Sequence, residues 1–255
     1  MYWSSYARAV HRTGAWRCDF VADDAKCDVR GGFVQLVVPP DSGDAWYWAY
    51  LVGPGVGIVA VRDHEVPRPR RPGGLVVRAD GLWAELVFET PDVHRTMGLE
   101  AFGVRLDDPA DALNCDVGER LAVGLDLEWD EGSVFGDVLI GTDRIEFDGR
   151  GSFVADGPAA GTTPGADATP NGTLDATLDA AGLPVAISLG GERGAAEVEI
   201  LSIVPIPFPI GLGDGEDAPY LVRVLARWTD SNGSPETGWQ DLTNSLASPG
   251  APEGR

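Results

Sequence analysis

Lysine is almost missing: Lys26 is the only one among 255 residues. Schiff-base chemistry, a phosphate-loop ammonium or a kinase-type lysine could therefore be built at that position alone. The three histidines, His11, His64 and His94, are far apart and none sits in a His-Glu-x-x-His pair, which argues against a histidine zinc site. Cys18, Cys27 and Cys115 are too few and too scattered for a disulfide framework and are expected as reduced thiols. No stretch approaches the roughly 20 continuous apolar residues of a membrane helix, so no membrane insertion is expected. The start, Met1-Tyr-Trp-Ser-Ser-Tyr-Ala-Arg, lacks a signal-peptide core, and the expected location is cytoplasmic. A Gly-x-Ser-x-Gly elbow is absent too, which excludes an α/β-hydrolase at the motif level.

Positive charge is scarce. Lys and Arg total 19 against 40 Asp and Glu, a net charge of −21. Such a surface repels phosphate backbones and anionic lipid, so neither nucleic acid nor an anionic membrane is an expected partner. The acidic groups Asp19/Asp23/Asp24/Asp28 and Asp214/Glu216/Asp217 follow no EF-hand spacing and read as solvated turns. Gly53-Pro-Gly-Val-Gly57 lacks dinucleotide spacing, leads into an apolar strand and reads as a turn. No cofactor and no metal are implied.

What the chain does have is short alternating segments punctuated by Gly, Pro and Asp, the pattern of β structure. Leu121, Val123, Leu125, Leu127 and Trp129 take every second position, as a half-buried strand does. Val222, Val224, Ala226 and Trp228 repeat this, with Arg223 and Arg227 on the other face. A hairpin is expected to turn at Gly141-Thr142-Asp143. Further strands are expected at 33–38, 46–52, 58–61, 75–78, 82–89, 97–106, 185–189 and 195–204. Helix signals are confined to Ser5–Arg12 and to the capped Asp107-Asp-Pro-Ala-Asp-Ala-Leu segment. Glu131-Gly-Ser is expected to separate two β domains, 1–132 and 133–244. Within the second, 156–173 has no large apolar side chain and reads as a mobile loop, and 245–255 reads as a disordered tail.

The candidate chemistry lies near these strands. Trp46, Trp48 and Tyr50 share one face by the period of two: either core, or the wall of an apolar ligand cavity. Trp83, Phe102 and Trp228 are further candidate wall residues. His64 follows an apolar run at a strand end, and His94 precedes the 97–106 strand. Alternation puts Glu100 on one face with Phe102, Val104 and Leu106. There burial would raise its pKa and make it a candidate general acid, unless an arginine such as Arg78 or Arg105 pairs with it.

Several segments in order then resemble a family. They are Asp63-His-Glu-Val-Pro, Val77-Arg-Ala-Asp-Gly-Leu-Trp-Ala-Glu, His94 with Leu99-Glu-Ala-Phe-Gly-Val-Arg-Leu-Asp-Asp-Pro, Gly118 through Trp129, and Gly136 through Gly151. With the closing Arg223-Val-Leu-Ala-Arg-Trp and Gly238-Trp-Gln-Asp, they are similar to bacterial relatives of carotenoid 1,2-hydratase (hydroxyneurosporene synthase) and lipocalin-like cyclases. The resemblance implies a mostly β protein of two consecutive lipocalin-like antiparallel β-barrel domains, an apolar substrate in or between them, and no metal. The Asp-His-Ser-Trp-Gly motif of such relatives is missing: Gly151 is followed by Ser-Phe-Val-Ala-Asp156. Three functions follow as expectations. One is acid-assisted hydration or cyclisation of an isoprenoid, sterol-like or polyketide molecule, with Glu100 as acid and His94 and His64 as partners. The second is a non-catalytic binder of such a molecule. The third is a structural β protein filled by its own side chains.

Overall fold

The structure, a computed structural model, describes residues 16–38, 43–68, 76–90, 94–109, 111, 118–155, 173–178, 184–190, 198–207, 220–229 and 233–242. Alternation over short β-branched and aromatic runs gives strands throughout, and no α-helix occurs among the described residues. The first ten strands are β1 (Trp16–Ala22), β2 (Gly31–Val37), β3 (Asp44–Gly53), β4 (Gly57–Pro67), β5 (Val76–Ala79), β6 (Leu82–Thr90), β7 (His94–Leu106), β8 (Glu119–Asp130), β9 (Ser133–Ile140) and β10 (Asp143–Ala155). They form one antiparallel meander that closes on itself.

Closure uses two pairings. β1 lies between β2 and β10, in register from Trp16–Ala155 to Ala22–Gly149. β7 then divides its length between two neighbours. Its last residues, Val104–Leu106, pair with Ile58–Ala60 of β4, whereas its first part, from His94 to Ala101, pairs with β6. Around the narrow end the barrel therefore has eight strands, and at the other end the β5–β6 hairpin is wedged between β4 and β7. Gly103 sits where the fork begins. A Cβ there would lie 2.9 Å from the Ala60 carbonyl oxygen and 2.8 Å from Val123, so a larger residue would push the two strands apart.

The hairpin expected at Gly141-Thr142 is present, Ile140 facing Asp143. The break expected at Glu131-Gly-Ser is corrected. Asp130 faces Ser133 across the two residues Glu131 and Gly132, whose φ angles are 48° and 93°. That is the signature of a tight hairpin turn between neighbouring strands. β9 and β10 thus complete the barrel begun by β1, and the division at 132/133 falls inside it. Of the expected helix at 107–113 the structure describes residues 107–109 and 111, where Asp111 N–H donates to the Asp108 carbonyl at 3.0 Å. Ser5–Arg12, most of 156–173 and the tail lie outside the described residues.

The barrel interior is one continuous buried cluster. Phe20, Leu36, Leu51, Leu86, Leu99, Leu127 and Phe147 meet there, each contributing on the order of 1.5–3 kcal/mol on burial. The outer face of β1–β4 is apolar as well, and the C-terminal strands cover it. β11 (Thr173–Leu178) and β12 (Pro184–Gly190) form a two-stranded sheet, and β13 (Val198–Pro207), β14 (Tyr220–Thr229) and β15 (Pro235–Leu242) a three-stranded one. Val204, Ile206 and Leu225 of this sheet pack on Phe33, Trp48, Tyr50 and Val52 of the barrel wall. Among the described C-terminal residues it is the sheet β13–β15 that covers this face, and the second barrel expected for 133–244 is not seen among them.

One ion pair fixes that cover. Arg223 of β14 donates from both terminal nitrogens to the two carboxylate oxygens of Asp19 on β1, at 2.8 and 2.9 Å. Its guanidinium lies over the rings of Phe33, at 4.3 Å, and Trp239, at 5.4 Å. Trp239 Nε1 in turn donates to the Phe20 carbonyl at 3.2 Å. Arg223 is 1% exposed, so the geometry is bidentate and dry. Removing one partner of such a pair leaves a buried charge, at a cost of about 3–5 kcal/mol. Arg223→Met and Asp19→Asn are therefore expected to lower the urea midpoint strongly. Arg223→Met should also open the cover to trypsin at Arg227 before the barrel is cut, which limited proteolysis with mass mapping will read.

Candidate functional site

Trp46, Trp48 and Tyr50 do share a face of β3, and it is the outer one. All three belong to the cluster beneath the C-terminal sheet, and their inward neighbours Tyr47, Ala49 and Leu51 line the barrel. Tyr50 stacks on Phe33 with centroids 5.2 Å apart. His64 of β4 joins the other two: its ring centroid lies 5.6 Å from Trp48 and 6.3 Å from Trp46. Trp48 Nε1 donates to His64 Nε2 at 3.0 Å, which places the proton of the neutral imidazole on Nδ1. Burial, helped by Arg62 and opposed by Asp63, pushes the His64 pKa down from 6.5 to about 4. His64 is thus a neutral acceptor that holds an indole.

Glu100 is elsewhere. Its side chain is exposed on the outer face of β7, between Trp83 of β6 and Gly124 of β8. The burial expected of it is corrected: the apolar inner face of β7 is the one carrying Met97 and Leu99, and Glu100 alternates away from it. Trp83 and Glu100 share an open hollow of about 530 Å³ with Glu85, Asp126, Asp137 and Arg144, where the Trp83 indole lies against Gly98. Phe102 is 57% exposed, with the Arg120 guanidinium 5.0 Å above its ring. Trp228 is buried in β14 and packs against Gly238. His94 stands at the start of β7, with Nε2 3.8 Å from Glu128. Six residue steps along the strand separate it from Glu100, about 20 Å. His64 keeps its company on the covered wall, so the three proposed acid–base groups do not converge.

The interior holds a polar group that the sequence pattern did not single out. Tyr47, Cys18, Arg95 and Trp129 all belong to the ends of their strands that meet at the wide, forked end of the barrel. Trp16 contacts Tyr47 edge-on at 6.3 Å. Cys18 faces Phe153 across the β1–β10 ladder, and the Arg95 guanidinium lies 4.7 Å over the Phe153 ring. Arg95 faces Trp129 across β7–β8, and Trp129 contacts Phe20 at 6.1 Å. Cys18 is 1%, Tyr47 0%, Arg95 4% and Trp129 2% exposed. Burial pushes the Cys18 thiol well up, and Asp19 acts in the same direction against Arg95 and Arg17. Burial and then Cys18 push the Tyr47 hydroxyl up. Both stay neutral near pH 7. Among the described residues neither the Tyr47 hydroxyl nor the Trp129 Nε1–H has a hydrogen-bond partner.

No group of three or more His, Cys, Asp or Glu side chains able to hold a metal occurs among the described residues. No helix among them is long and apolar enough to cross a membrane.

The His64 pKa sets a pH dependence. The unfolded chain takes up the His64 proton near pH 6.5 and the folded chain only near 4, so the unfolded state binds more protons between those values and stability falls as pH drops through them. The difference in urea midpoint between wild type and His64→Gln, which keeps an acceptor for Trp48, should be flat above pH 7 and shrink from pH 6.5 to 4.5. Alkylation followed by peptide mapping should find Cys18 protected until the barrel unfolds and the half-buried Cys27 reactive before it.

Comparison with protein-family models, with curated proteins and with solved structures gives no match, so the closed antiparallel barrel alone stands behind the resemblance to carotenoid 1,2-hydratase relatives.

Proposed function

We propose that the protein binds an apolar small molecule, of isoprenoid, sterol-like or polyketide type, in the wide end of a lipocalin-like barrel, without transforming it. The observation that carries this reading is the fork at β7. β4 and β5 are the two edges of the ten-stranded sheet. They lie side by side, yet among the described residues no ladder joins them. A seam without a ladder among the described residues can part and close again without breaking a sheet. Behind it is an apolar interior, the surroundings that small-molecule sites favour. Binding without turnover is preferred because Glu100, His94 and His64 stand on separate outer surfaces, and an alkene-protonating acid has to be buried beside its substrate.

A second reading has its own observation. The narrow end is packed with Leu, Val and Phe side chains, as in a barrel whose role is purely structural. Ligand-independent melting would favour it.

The test uses retinol as an isoprenoid probe, read by quenching of tryptophan emission and by the shift in melting temperature. Wild type should quench saturably. Ala84→Trp, which fills an inward position on β6, should weaken binding at least tenfold. Glu100→Gln and His94→Gln should leave it unchanged. Equal binding by Ala84→Trp sinks the proposal.

A further inference from the structure

We infer that a second site lies outside the barrel, in the hollow between its narrow end and the covering sheet, and that it takes an aliphatic molecule whose carboxylate meets Arg30. The inference does not depend on a guest in the barrel interior. The hollow measures about 500 Å³, within the usual size of small-molecule sites. Val52 and Ile58, on either side of the β3–β4 turn, and Leu106 at the end of β7 form one side of it. All three are buried members of the cluster beneath the cover. The 200–203 stretch of β13 forms the other side. There Ile200 faces Ala226 and Ser202 faces Leu225, so Leu201 is an extra residue that β14 does not match. A bulge of this kind bends its strand and re-aims a side chain. Residues 200–203 are half-buried, whereas 204–206 are buried. The strand is thus seated on the barrel from Val204 onward, and around the bulge the two layers leave the hollow between them.

Two charged side chains line this apolar space, Arg30 and Asp107. Arg30 is placed firmly: its backbone N–H donates to the Val52 carbonyl at 2.7 Å, and its carbonyl accepts from Ala22 N–H at 2.9 Å. Its side chain is half-buried, and the guanidinium has no hydrogen bond, ion pair or ring contact among the described residues. Acidic groups number 40 against 19 basic ones, yet none of the described carboxylates neutralises this one. A guanidinium only donates and stays charged, so the head group that completes it presents anionic oxygens. Asp107, exposed at the rim, decides which kind. Its negative charge opposes any anion, and it opposes a singly charged, planar carboxylate less than a phosphate monoester carrying nearly two charges. The tail then lies on Val52, Ile58, Leu106 and Leu201, where water is displaced from aliphatic surface.

The test uses decanoic acid and 1-decanol as probes, by titration calorimetry on the full chain at neutral pH and low ionic strength, where ion pairs are least screened. The acid should bind about fivefold more tightly than the alcohol, as expected of one half-exposed ion pair. Arg30→Gln should bring that ratio to near one and leave the alcohol unaffected. Asp107→Asn, which removes the repulsion, should tighten the acid several-fold and not the alcohol. Ser202→Trp, which fills the hollow, should weaken both at least tenfold. That variant can disturb the cover, whereas Arg30→Gln breaks no side-chain contact among the described residues and should keep the wild-type urea midpoint. A diazirine-bearing decanoic acid should label peptides that carry 52–58 and 200–203, and Ala84→Trp in the barrel interior should change nothing. Equal affinity for acid and alcohol overturns the carboxylate at Arg30. Loss of binding in Ala84→Trp, with labelling confined to the barrel interior, overturns the second site and leaves the barrel reading standing. Failure of both probes to bind overturns the inference as a whole.

Discussion

Each backbone N–H and C=O at the rim of a sheet must find a partner or face water. In this chain that requirement is met by wrapping, and the rest of the molecule follows from how the wrap closes. β1 takes β10 on one side and β2 on the other, which makes the first described strand an interior one. At the other closure β7 is shared between β4 and β6. One end is thereby drawn tight, and the other is left with two edges that no ladder joins among the described residues. The packed and the polar parts of the interior divide along the same line. The tight end is hydrocarbon, and Cys18, Tyr47, Arg95 and Trp129 gather at the loose one.

The second constraint is that β1–β4 are apolar on both faces. Inside lie Phe20, Leu36 and Leu51, and outside lie Phe33, Trp48 and Tyr50. A wall of this kind needs a cover, and β13–β15 supply it. Shape and greasiness press the two layers together, but they do not choose a register. The Asp19–Arg223 pair does, because its two parallel bonds and the flanking rings of Phe33 and Trp239 accept one placement.

This double burial also explains how much of the fold was legible. Strands such as 121–129 and the hairpin at Gly141 announce themselves, since one face is wet and the turn chemistry is unambiguous. In Trp46–Val52 the period of two is just as clear, yet both of its faces are apolar. Periodicity then separates the faces without saying which is inside. The Trp46/Trp48/Tyr50 side looked like the lumen because it carries the larger rings; the lumen took Tyr47, Ala49 and Leu51 instead. In β1 Trp16, Cys18 and Phe20 alternate with Arg17 and Asp19, a pattern that reads as one wet face, and only the partner 204 residues away shows that the carboxylate on that face is covered. Glu131-Gly-Ser was legible as a turn, but nothing local distinguishes a hairpin from a border. The polar set inside the barrel left no trace in the pattern: Arg95 stands at the head of β7 with no repeat to mark it, and Trp129 reads as one more core residue.

Placing the earliest described strand between two others has a consequence for biosynthesis. As the polypeptide emerges, Trp16–Ala22 can dock on β2 at once. Its other edge has to wait for β10, and its outward carboxylate for an arginine made 204 residues later. Throughout that interval the nascent chain presents an open, greasy ribbon to water or to whatever shields it. Topologies dominated by such distant pairings mature slowly and are prone to self-association while they wait. The finished molecule hides this well, since the strand that is most exposed during synthesis becomes one of the least accessible once the last sheet has settled over it.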